Sequence, residues 1–268
     1  MTLSLRLPSR HALRVTAMAL ASAAVCATAS AALPQFTFNP AAGGITGAPA
    51  STITADNILI SDFSSVMIDA AGNFTETGFL AVSSFQLGGS TFTPAGLNST
   101  YGLYLAFNAT GKQSVGNPGL VPTFGTFSSL SYTLYGYNGT GTFGFSGTTP
   151  TVTTSGAQTA LASGSLVYGS VSTIPTGNGS TFTPSGNARV NFTVLDNPFF
   201  ASPTPFYSLA EAAFTNTPSE VETFANGFLV RQGGGSLNFV STVPEPGTFG
   251  LLLSGLAIVG FVARRRAA

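Results

Sequence analysis

Charge is scarce in this 268-residue chain: Asp, Glu, Lys and Arg make up 7% of it, against about a quarter of an ordinary soluble domain. Tryptophan is absent, and there is a single cysteine, Cys26, and a single histidine, His11. Beyond Cys26 the chain therefore has neither imidazole nor thiol. Ser-His-Asp and Cys-His nucleophilic systems are excluded there. So are zinc and copper sites, which need those ligands, and so is any disulfide. No cofactor and no metal is expected. Six of the nine basic residues sit at the two ends, in the first fourteen residues and at Arg264, Arg265 and Arg266. Residues 32–240 hold only Lys112, Arg189 and Arg231 against eight acids. A surface so poor in cations releases few phosphate counterions, so no nucleic-acid partner is expected.

What is present at the ends is targeting. A basic stretch over 1–14, an apolar Ala-rich run from Val15 to Val25, and Ala29-Ser30-Ala31 as a small-residue cleavage site form a secretory signal peptide over 1–31. Cys26 does not read as a lipoprotein anchor, because Val25 stands where a small residue is needed. Cleavage at Ala29–Ala31 removes both His11 and Cys26. At the other end Val243-Pro244-Glu245-Pro246 precedes a 17-residue uncharged run, Gly247 to Ala263, and then the three arginines. That run is at the short limit for spanning a bilayer, and the arginines fix its far end in the cytoplasm. A plain C-terminal membrane anchor is one reading of this segment.

The same residues, in the same order, resemble the PEP-CTERM sorting signal of Gram-negative exopolysaccharide producers. The resemblance implies recognition of Pro244, Glu245, Pro246, Arg264, Arg265 and Arg266 by an exosortase, a membrane cysteine transpeptidase. It also implies an inner-membrane intermediate, held transiently through the C-terminal helix, and then an extracellular or cell-surface product. The expected organisation is a signal peptide over 1–31, an ectodomain over 32–240 and a sorting signal over 241–268.

The ectodomain reads as strand almost throughout. Tyr101, Leu103, Leu105 and Phe107 alternate with smaller residues, as do Leu130, Tyr132 and Leu134, and Val190, Phe192 and Val194. Period-two alternation places one set on a buried face. Turn signals occur at Gly88-Gly89, Asn117-Pro118-Gly119, Asn138-Gly139, Gly177-Asn178-Gly179, Asn197-Pro198 and Gly233-Gly234-Gly235. The pattern predicts an all-β fold of about ten to twelve short antiparallel strands, hence a β-sandwich of possible jelly-roll type, flanked by a signal helix and a C-terminal transmembrane helix. An octapeptide, Gly89–Gly96, recurs as Gly179–Gly186. It reads as a reused strand-turn solution, with Pro94 and Pro184 setting φ for the turn.

Few side chains in the ectodomain carry chemistry. Glu220 and Glu222 would share one face of a strand, a spacing loosely compatible with a glycosidase pair, or simply with a charged edge. Asp56, Asp62 and Asp69 read as solvated loop acids, since no calcium motif joins them. Tyr135 and Tyr137 share a face opposite to Tyr132 and could stack on saccharide or pack in the core.

Short stretches along the ectodomain resemble a flocculation-associated member of the PEP-CTERM family: Leu33–Pro40, Thr54–Ile58, Tyr101–Tyr104, Pro205–Tyr207, Phe214–Thr217 and Gly233–Phe239. The resemblance implies a non-enzymatic exported protein that promotes cell aggregation and biofilm formation together with exopolysaccharide. A secreted lectin-like carbohydrate-binding module and a carboxylate-dependent polysaccharide hydrolase are the alternatives.

Overall fold

The computed structural model describes residues 33–177, 179–241 and 255–256, and the fold lies in the unit Leu33–Thr242. The signal segment, with Ala29 and Ala31 and the expected signal helix, lies outside the described residues. So does the sorting segment, with Pro244–Pro246 and Arg264–Arg266, apart from Ser241, Gly255 and Leu256. Of the expected C-terminal helix only Gly255 and Leu256 are described, and they are helical. Among the described residues no helix is long and apolar enough to cross a membrane.

Among the described residues sixteen strands follow one another. They are β1 (Phe36–Phe38), β2 (Ile53–Ala55), β3 (Asn57–Ile68), β4 (Asn73–Leu87), β5 (Ser90–Phe92), β6 (Tyr101–Gln113), β7 (Thr123–Asn138) and β8 (Gly141–Ser146). Then come β9 (Thr149–Thr154), β10 (Gln158–Pro175), β11 (Phe182–Asn191), β12 (Thr193–Val194), β13 (Phe200–Ser202), β14 (Leu209–Thr215), β15 (Val221–Phe224) and β16 (Gly227–Phe239). Each alternating segment noted above falls in β6, in β7 or across β11 and β12.

The β-sandwich expectation, jelly-roll or otherwise, is overturned. Eight long strands run β3-β4-β6-β7-β10-β11-β14-β16 as an antiparallel meander, and β16 pairs back onto β3. β10 closes the ring, pairing β7 on one side and β11 on the other from Leu166↔Val190 to Pro175↔Phe182. The result is one closed eight-stranded barrel. Register shifts at Leu59/Ile60, Thr110/Gly111, Ala160/Ala162 and Arg231/Gly233 bend individual strands, and such bulges supply the coiling that closure needs. Closure leaves the eight barrel strands no long exposed edge to template aggregation.

Turn chemistry is as the sequence suggests at Gly88-Gly89, where both residues have positive φ, and at Gly139. It fails at Gly233-Gly234-Gly235, which lie inside β16 opposite Asp62, Ser61 and Ile60. The repeated octapeptide adopts two different structures. Its first copy forms β5 and a turn, whereas its second runs into β11, with Pro184 paired to Thr173 inside the ladder.

Two apolar clusters fill the barrel at different levels. The larger joins Ile58, Leu80, Leu105, Leu134 and Leu237 to a plug of aromatic rings from β1, β13 and their connections. Phe36 meets Phe239 edge-on at 4.8 Å, and Phe38 meets Phe85 at 4.8 Å and Phe199 at 5.4 Å. The smaller cluster, Val66, Phe74, Phe182, Phe228 and Val230, lies toward the opposite end. Outside the barrel, the β8–β9 hairpin sets Phe143 against Phe63 and Tyr104, and Arg231 covers the Phe145 ring at 4.9 Å.

Candidate functional site

The inward side of β3 carries Ile58, Ile60, Asp62, Ser64 and Val66, every one of them buried. That of β4 carries Phe74, Glu76, Gly78, Leu80 and Val82. Asp62, Ser64 and Glu76 therefore occupy the apolar phase of their strands and point where leucines point elsewhere. Ser64 pairs with Gly78, Val66 with Glu76, and Asp62 with Leu80. Gly78 is required at its position, because a Cβ there would lie 2.7 Å from the Ser64 Cβ.

On the other side of Asp62 stands Gly233 of β16. A Cβ on Gly233 would come 1.9 Å from Asn216 Oδ1, so the Asn216 side chain fills the space beside Asp62. Asn216 is 3% exposed, and its backbone N–H donates to the Pro184 carbonyl at 3.0 Å. Its Oδ1 and the Asp62 Oδ1 are both buried without a hydrogen-bond partner.

These groups line an internal space of about 100 Å³ between the two apolar clusters, walled by side chains from all eight barrel strands, Leu105, Tyr132, Val190 and Phe228 among them. The lining contains no Lys, Arg or His. Each described cation stands elsewhere. Arg189 pairs with Glu211 and Arg231 with Glu222 on the outer wall, while Lys112 is exposed and acts on Asp69. Burial holds the Asp62 carboxyl well above the ordinary carboxylate range, and the nearby Glu76 charge raises it further. Burial likewise pushes Glu76 up to about 7. Two buried acids without a countercharge favour their neutral forms.

Beyond the smaller cluster a second, open groove of about 600 Å³ lies among the rim loops, bounded by Asp69, Val115, Asn117, Ser180 and Asn226. Phe228 and Gln113 border both spaces, so the Phe74–Phe182–Phe228 layer separates the lumen from the rim.

The structure places the other sequence candidates as follows. Tyr135 and Tyr137 share the outer face of β7, and both neighbour the Tyr104 ring, at 5.2 and 6.0 Å. Tyr137 is 1% exposed, so its ring is fully occupied by protein contacts, whereas Tyr135 is half-buried. Tyr132 faces inward, and its hydroxyl donates to the Asn191 carbonyl at 2.8 Å. Glu220 and Glu222 do not share a strand face. Glu220 belongs to the one-turn 3₁₀ helix Pro218–Glu220 and accepts from the Thr217 N–H at 2.6 Å. Glu222, on β15, pairs with Arg231.

Of the three aspartates, only Asp69 is a solvated loop acid, accepting from the N–H groups of Ala71 and Asn73. Asp56 is buried and accepts from the Gly88 N–H at 2.6 Å. Among the described residues no group of three or more His, Cys, Asp or Glu is placed to hold a metal ion. Sequence reading passed over Glu76 and Asn216 and misplaced Asp62. The phase of the alternation, with Asp62 in step with Ile58, Ile60 and Val66, was the signal that could have found it.

No curated protein and no solved structure is significantly similar to the chain. A family model of the PEP-CTERM protein-sorting motif matches residues 242–266, the segment that contains Pro244-Glu245-Pro246 and the terminal arginines. The chain thus carries a PEP-CTERM sorting motif, the mark of an exported protein processed by an exosortase in Gram-negative bacteria.

Proposed function

We propose that the barrel is a non-enzymatic matrix protein that, after exosortase processing, promotes cell aggregation and biofilm formation by adhering to exopolysaccharide. The observation that carries this reading is the outer wall. Thr77, Asn108, Ser131 and Ser165 stand side by side across β4, β6, β7 and β10. Thr75, Thr110 and Ser129 form a second row, in which the Thr110 and Ser129 hydroxyls are 2.7 Å apart. All seven are exposed, and none carries charge. Hydroxyls and amides in such rows can donate to and accept from sugar hydroxyls directly or through water, without repelling an anionic polymer. Apolar inside and hydroxylated outside, this wall has the reverse polarity of a membrane barrel.

A convex wall favours many weak contacts along a polymer over one deep saccharide pocket. That supports an adhesive role over a lectin-like module of narrow specificity. The separate engagements of Glu220 and Glu222 support the non-enzymatic reading. The test is adsorption of the purified protein to the host's exopolysaccharide. Changing Thr77, Asn108, Ser131 and Ser165 together to aspartate should weaken adsorption at least about tenfold at low salt, and a deletion strain complemented with that variant should not flocculate. Unchanged adsorption and normal flocculation would overturn the proposal.

A further inference from the structure

We propose that the barrel lumen is a binding site for a compact organic amine, whose ammonium group sits against Asp62, Glu76 and Asn216 and whose apolar body lies among the surrounding leucines and phenylalanines. This goes beyond adhesion through the outer wall and uses none of the same residues.

The first argument is the balance of donors and acceptors. Buried polar atoms in folded proteins are almost always hydrogen-bonded, and each exception calls for an explanation. Here two exceptions border one space: Asp62 Oδ1 and Asn216 Oδ1. Both are oxygens, so the missing partner is a donor. The Ser64 hydroxyl is buried beside both acids and acts on each, but its single proton cannot serve Asp62 and Asn216 together, and the other hydroxyls nearby are committed. The Tyr132 hydroxyl donates to the Asn191 carbonyl, and the Thr123 and Thr173 hydroxyls bond each other at 2.6 Å.

Charge is the second argument. Glu76 is close enough to raise the proton affinity of Asp62, yet the cavity wall holds no cation. A buried acid pair costs several kcal/mol unless a countercharge or a proton neutralises it. An ammonium group supplies charge and donors together.

The shape of the space is the third. Around the polar corner the wall is apolar, with Leu80, Leu105, Phe127, Val190 and Leu237. The unfilled volume of about 100 Å³ exceeds what a single water needs. Gly78 and Gly233 lack side chains beside Ser64 and Asp62, and that lets Ser64 and Asn216 close in on the acids at this corner. Entry would pass the Phe74–Phe182–Phe228 layer from the rim groove, where Phe182 and Phe228 meet edge-on at 5.2 Å.

Calorimetric titration of the full-length chain with n-butylamine, using n-butanol as the neutral counterpart, tests the proposal. The amine should bind at about pH 8, and the alcohol at least about tenfold more weakly. Binding a cation requires the acids to ionise, so affinity should fall about tenfold per unit below about pH 7. In the same range the heat should depend on the buffer's ionisation enthalpy, reporting proton release. Asp62→Asn and Glu76→Gln should each weaken amine binding at least about tenfold, whereas Glu222→Gln on the outer wall should leave it unchanged. If either lumen variant fails to fold, proton release by the unmodified chain still decides. No amine binding at about pH 8, equal binding of amine and alcohol, or binding without proton release below about pH 7 would show a lumen that holds only water and shared protons.

Discussion

Gly233 and Asp62 face each other across the β16–β3 ladder, and the room left by the missing side chain of Gly233 is taken by Asn216. A Cβ at Gly233 would also approach Val230 Cγ1 to 2.6 Å. Gly233→Ala should therefore destabilise the barrel by about 1–3 kcal/mol, the usual cost of overpacking. At Gly234, one residue on, a Cβ meets nothing within 4 Å. Gly234→Ala should be within about 0.5 kcal/mol of the parent. Denaturant unfolding of the pair checks both, and equal losses would show that Asn216 does not set the constraint.

The lumen acids make stability depend on pH in an unusual direction. Glu76 titrates near 7 when folded and near 4.5 when unfolded, so the folded barrel holds its proton more tightly. The stabilisation is fully present below the unfolded value and is lost as pH rises through the folded one. Melting temperature should fall between about pH 5 and pH 7.5. The loss from Glu76 is on the order of 3 kcal/mol at most, and Glu76→Gln should flatten it. Asp62, raised in the same sense, should leave a residual slope in that variant.

The β8–β9 hairpin is anchored through Phe143, whose ring lies 5.6 Å from that of Phe63 and 5.7 Å from that of Tyr104. Phe143→Ala should cost about 2 kcal/mol, less than a fully buried phenylalanine, and should free the hairpin without opening the barrel. Hydrogen exchange should then quicken over 141–154 but not over β6 and β7. Uniform loss of protection would mean that the hairpin and the barrel unfold as one unit.

Sorting is testable apart from the fold. Replacing Pro244-Glu245-Pro246, inside the matched motif, with alanines should leave the chain uncleaved in the membrane fraction. Intact mass and fractionation, with and without an exosortase in the host, provide the readout. Normal release of the alanine variant would show that those three residues are not what the enzyme reads.

Much of the strand content was legible, because alternation such as Tyr101, Leu103, Leu105 and Phe107 directly encodes a buried face. Gly88-Gly89 and Asn138-Gly139 were legible as turns for the same local reason. Barrel closure was not. Alternation says that one face is buried, but a sandwich and a closed barrel bury that face alike. What decides between them is the pairing of Leu166–Pro175 with Phe182–Val190 at the same time as with β7. Gly233–Gly235 were misread because a glycine run that accommodates Asn216 inside a strand looks, in one dimension, like a turn. Asp62 was misread by residue type, since charge usually means solvent. In the lumen, local pattern and residue chemistry disagree at Asp62, and such conflicts tend to mark function.

Phe36 and Phe239 touch at the plugged end of the barrel, so the described domain begins and ends on that side, away from the rim groove. Mechanical load applied through Ser241 therefore enters along the axis of β16, which is laddered to β14 on one side and β3 on the other. Tension in that direction shears both ladders at once instead of unzipping them rung by rung. Held by its outer wall and pulled from its C-terminal end, the barrel resists extension through two ladders together.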